Sequence, residues 1–136
     1  MSLNCPPKAS CRMGEYRKLR VWKKSHALAI EINLLAANIR GASHAALKTQ
    51  MIRAAMSVPA NLVEGRAQNS EKEFARFIGY ALGSAAELDY HLLIAKDIGA
   101  IDEAAYQKVE SDLTEIRKMM NGLSKKLRLS AKLLIG

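Results

Sequence analysis

The sequence predicts an all-α fold, an antiparallel up-down-up-down four-helix bundle. Three observations carry this. Apolar residues recur at three- and four-residue steps in four successive stretches. Only a few residues separate one stretch from the next. The composition is 49% hydrophobic but only 5% aromatic, with the bulk in Ala, Leu and Ile among many Lys, Arg and Glu, a mix that favours helix over sheet. At 136 residues the chain suits one domain with its own core.

The first helix is predicted from about Val21 to Arg40, with Trp22, Ser25, Leu28, Ala29, Ile32, Leu35, Ala36 and Ile39 as its inner stripe and Gly41 as its stop. The second begins with Ser43 as N-cap, buries Leu47, Met51, Ala54, Ala55, Val58 and Leu62, and ends at Gly65. Ser70 with Glu73 three residues on forms a capping box at the start of the third, ahead of Phe74, Phe77, Ile78, Ala81 and Leu82; Gly99 ends it. Asp102 caps the fourth, which carries Tyr106, Val109, Leu113, Ile116, Met120, Leu123 and Leu127 and frays near Ser130. Short connections between long helices make neighbours antiparallel. Residues 1–15, with Pro-Pro, Cys5 and Cys11, read as a disordered tail with reduced thiols; residues 16–130 form the bundle, and residues 131–136 a C-terminal tail.

Apolar runs fall far short of the roughly 20 residues that span a bilayer, and no signal-peptide core is present, so a cytoplasmic protein is expected. Arg53, Ser57, Asn61 and Glu64 stack at steps of four, four and three on the second helix, and Tyr80, Ser84, Glu87 and His91 do the same on the third. A hairpin turning near residues 67–69 sets Arg53 opposite Ser84 and Glu87, making Arg53 and Glu87 candidate partners. Catalysis would need a nucleophile beside a base, or a metal set, and neither pattern is present; His26, His44 and His91 fall on different helices. The polar residues read as a structural network, and no enzyme activity, metal, cofactor or small-molecule substrate is expected. Pro59 lacks an N–H, so the Ala55 carbonyl loses its helical partner and a bend is expected, with Asn61 as one possible donor. Gly79 and Gly83 leave a smooth strip on the third helix, suited to close packing by a bundle helix or a neighbouring subunit.

The net charge is +8. Thirteen of the 21 basic residues lie before residue 25 or between Arg117 and Lys132, and the fold order brings those two segments to one end of the bundle. Cations at the end of the fourth helix complement its dipole. At the start of the first helix, cations oppose the dipole, so Arg17, Lys18, Arg20, Lys23 and Lys24 point to an anionic partner, with Lys125, Lys126 and Arg128 completing the patch. The partner inferred is nucleic acid, RNA ahead of DNA, held through phosphates with steep salt dependence. The alternative is a structural adaptor that binds another protein and carries its charge for solubility. Tyr16 and Trp22 interleave with the cations as potential base-stacking rings, although Trp22 better suits a core anchor.

The run Arg53-Ala54-Ala55 through Ser57-Val58-Pro59-Ala60-Asn61 to Glu64-Gly65, followed by Ser70, Glu73-Phe74, Phe77, Gly83-Ser84 and Glu87-Leu88, carries a family resemblance. Over about residues 16 to 128 the chain resembles the four-helix bundle family encoded in intervening sequences of bacterial 23S rRNA genes. The resemblance implies a homopentamer, no known enzymatic activity, and kinship with the nucleic-acid-binding accessory protein of diversity-generating retroelements. His91 stands where that family more usually has Gln.

Overall fold

Four helices with the expected periodicity form in the computed structural model, which describes residues 13–135. They are α1 (Arg20–Ala37), α2 (Ala45–Arg66), α3 (Glu71–Asp97) and α4 (Glu103–Ile135), with 3-10 turns at Met13–Lys18 and Ala42–His44. Each helix packs on the next and α1 closes against α4, the up-down-up-down order; among the described residues there is no strand. No helix there is long and apolar enough to cross a membrane. Cys5 and Cys11 and the rest of residues 1–12 lie outside the described residues.

The helix ends follow from local chemistry. Ser70 accepts a hydrogen bond from the Glu73 N–H at 3.1 Å, and Asp102 accepts one from the Ala105 N–H at 2.7 Å, so both caps form as the sequence implies. The Glu73 carboxylate turns to Arg76 instead of closing the box. Gly41 and Gly99 take φ of 103° and 77°, a region that side chains avoid, which is why these two positions break the chain between helices. Three boundaries differ from expectation. Ser43 does not cap α2, because it lies inside the 3-10 turn and His44 occupies the cap position without a side-chain bond. Gly65 does not end α2, which continues to Arg66. The fourth helix does not fray near Ser130 but runs on to Ile135, so the expected tail from residue 131 is helical. At the other end of the chain, Glu15 belongs to ordered structure and bonds Arg66 at 2.7 Å.

The inner stripes meet in one core, with Ile32, Met51, Leu62, Ile78, Leu88, Leu92, Leu113, Ile116 and Met120 fully buried. Burial of each such side chain is worth about 1.5–3 kcal/mol, and most of the bundle's stability resides there. Pro59 is itself buried within α2. Asn61 does not serve the Ala55 carbonyl; its amide donates to the Ser57 carbonyl at 2.8 Å and to Ser57 Oγ at 3.1 Å.

Two surface ion pairs mark the register between α1 and α4 that core packing fixes. Lys24 meets Glu115 at 2.9 Å, and Lys108 meets Glu31 at 2.8 Å. Hydrogen bonds from Lys108 to Glu31 and then to Asp112 hold its ammonium above the ordinary lysine range. Seven residues forward on α1 match seven backward on α4, an antiparallel register. With 33 residues against 18, α4 continues past the start of α1.

Candidate nucleic-acid interface

At one end of the bundle lie the start of α1, the end of α2, the start of α3 and the end of α4. The α1–α4 register points the start of α1, with Arg20 and Lys23, toward the last third of α4, which holds Lys125, Lys126 and Arg128, and the 3-10 turn with Arg17 and Lys18 packs on α1 and the end of α2, so the two cationic segments share this end. Lys18, Arg20, Lys23, Lys125, Lys126 and Arg128 are exposed, and their side chains make no hydrogen bond or ion pair among the described residues. Arg17 is also exposed, with its guanidinium 5.5 Å from the centre of the Tyr16 ring. Lys24 departs from expectation: Glu115 already engages its ammonium, so it is partly neutralised.

Helix order adds two cations, Lys72 and Arg76, to these segments. The start of α3 lies beside the end of α4, and a groove of about 730 Å³ between them is lined by Lys72, Arg76, Arg128 and Lys132 around Gly79 and Tyr80. Arg76 donates to the Tyr80 hydroxyl at 2.8 Å and to Glu73 at 3.1 Å, contacts that hold its guanidinium above its ordinary pKa, the tyrosine contributing most. The signal for Lys72 and Arg76 was the capping box at Ser70, which starts α3 at the same end as the other cations. Of the carboxylates at this end, Glu15 is taken by Arg66 and Glu73 by Arg76, while Glu64 and Glu71 pair with no cation among the described residues. The cations outnumber these four carboxylates, so the end keeps a surplus of positive charge.

The polar stripe assembles only in part. Ser57 and Ser84 meet across α2 and α3 with their hydroxyl oxygens 2.8 Å apart, and Asn61 joins them through Ser57. Arg53 and Glu87 do not pair. Arg53 is exposed with no partner among the described residues, and Glu87 faces its own helix, 3.7 Å from His91. Glu64 is exposed and makes no side-chain contact there. Helix rotation explains the difference: each step of four turns the stripe about 40° toward α3 and the step of three to Glu64 turns it about 60° back, so Ser57 and Asn61 face α3 while Arg53 and Glu64 turn to solvent. Among the described residues no three His, Cys, Asp or Glu side chains are grouped to hold a metal ion.

No curated protein aligns significantly with the chain. Among solved structures, a protein of unknown function from the S23 ribosomal protein family of Bacteroides thetaiotaomicron is similar, with 27% identity and a TM-score of 0.72 over 77% of this chain and 98% of that one. Residues 17–122 match the family described as 23S rRNA-intervening sequence protein.

Proposed function

Because the chain belongs to the 23S rRNA-intervening sequence protein family, we propose that it is a non-enzymatic, cytoplasmic nucleic-acid-binding bundle that grips ribosomal RNA phosphates with its basic end and acts as a homopentamer. The observation that carries the reading is the set of exposed cations at one end, Lys18, Arg20, Lys23, Lys125, Lys126 and Arg128, with no carboxylate partner among the described residues. Lysines and arginines at the start of α1 oppose the helix dipole, so they cost stability where they stand and gain it on meeting phosphate.

Self-assembly has its own support. Leu34 and Tyr90 are 64% and 61% exposed, Met56 52%, and at Gly79 and Gly83 a Cβ would meet no other part of the described residues within 4 Å. Such faces suit burial against further copies of the chain. The number five comes from the family resemblance. Five chains of +8 make a ring of about +40, and patches that are weak singly act together by avidity.

Electrophoretic mobility shift with ribosomal RNA fragments across a salt series tests the binding. A steep fall of affinity with salt is expected. Absence of a shift even at low salt would overturn the reading in favour of a protein-binding adaptor.

A further inference from the structure

Three rings form a ladder beside the exposed cations. Tyr16 meets Trp22 edge-on, with centroids 4.9 Å apart, and His26 lies parallel to Trp22, 4.8 Å away with 8° between the planes. Trp22 packs against the core, so it is a fixed platform, as the sequence reading favoured. His26 is different. It is exposed, its imidazole makes no hydrogen bond among the described residues, and Trp22 covers one face of the ring. Nothing polar requires an imidazole there.

Lys23, His26 and Ile30 follow at steps of three and four, so they line up on one exposed strip of α1, with Arg20 a turn before. The strip thus reads cation, cation, flat ring, apolar side chain. That order matches a nucleotide lying along the helix, with phosphates at Arg20 and Lys23, the base on the imidazole and its edge against Ile30. Duplex bases cannot reach such a site, because their faces are occupied by their neighbours in the stack; unpaired bases can.

We propose that the Trp22–His26 stack is a platform for an unpaired nucleobase, which extends the stack on the outer face of His26 while Lys23 and Arg20 hold its flanking phosphates. The proposal rests on the nucleic-acid reading above and narrows it to single-stranded segments such as loops and ends.

Trp22 is the sole tryptophan, so its fluorescence reports on this site alone. Short single-stranded ribo- and deoxyribo-oligonucleotides carrying a fluorescent label are titrated while label anisotropy reads binding and Trp22 emission reads contact with the stack. Emission is expected to be quenched in step with the anisotropy rise for single strands and to stay unchanged with duplex. Quenching by the ribo-strand alone assigns the base to RNA; quenching by both shows that the base plane is read without the sugar. His26→Leu keeps Trp22 covered but removes the π face, and should weaken single-strand binding about ten-fold with an unchanged salt slope, whereas His26→Phe should retain it. Binding by anisotropy with steady Trp22 emission, or equal affinity of the Leu and Phe variants, would sink the stacking site and leave phosphate binding intact. No anisotropy change at low salt would remove both.

Discussion

Gly65 sits at a close approach of α2 and α3: a Cβ there would stand 2.8 Å from the Phe77 Cβ and 2.9 Å from Phe74 Cδ1. Alanine would raise helix propensity by about 1 kcal/mol, but overpacking typically costs about 1–3 kcal/mol, and a Cβ fixed to the backbone of α3 cannot swing aside. Gly65→Ala is therefore expected to lower the urea midpoint, by about 1–2 kcal/mol of stability; an unchanged midpoint would show that the helices slide apart without cost. Arg53 gives the opposite case. A buried Arg53–Glu87 pair would cost about 3–5 kcal/mol to break, whereas both residues face solvent. Arg53→Ala and Glu87→Ala should each stay within about 0.5 kcal/mol of the parent in thermal melts, and a large loss from either would point to a partner supplied by another chain.

On α3 the period of 3.6 separates two faces. Ala75, Ile78, Ala81, Ala85 and Leu88 are buried, while Gly79, Gly83 and Tyr80 look outward. The strip left open between a bundle helix and a neighbouring subunit is thus covered by no helix among the described residues, and Gly79 lines the groove beside α4. Within one chain the glycines cost about 0.5–1 kcal/mol each relative to alanine, with no contact to offset it. With a neighbouring copy seated on the strip, Gly79→Ala with Gly83→Ala should shift the native mass from about 75 kDa toward the 15.0 kDa chain. A raised melting midpoint with the assembly intact would show the strip to be bare surface.

Over the whole molecule, charge placement follows from helix order and unequal helix length. The fourth helix outreaches the first, so its last cations stand beyond the α1 start and beside the start of α3. Each unpaired lysine that meets a phosphate adds about 0.9 to the slope of log affinity against log salt. Lys125→Ala with Lys126→Ala is expected to flatten that slope by about two, measured by anisotropy with ribosomal RNA fragments, while Lys24→Ala flattens it less because Glu115 already neutralises Lys24. Equal slopes for all variants would move the contact surface elsewhere.

The sequence by itself determined four helices, their antiparallel order, the caps at Ser70 and Asp102 and the gathering of both cationic segments at one end. Each depends on spacing along the chain, on short connections or on a cap three residues from its target, all local quantities. The tertiary structure alone decided that Ser57 meets Ser84 while Arg53 and Glu87 stay apart, that Gly65 is a close approach and not a stop, that Lys72 and Arg76 join the basic end, and that His26 lies flat on Trp22. These depend on how far each helix turns about its axis and where side chains settle between neighbours. A residue step of 100° makes such facing sensitive to small rotations that an apolar stripe tolerates, so periodicity leaves them open and packing closes them.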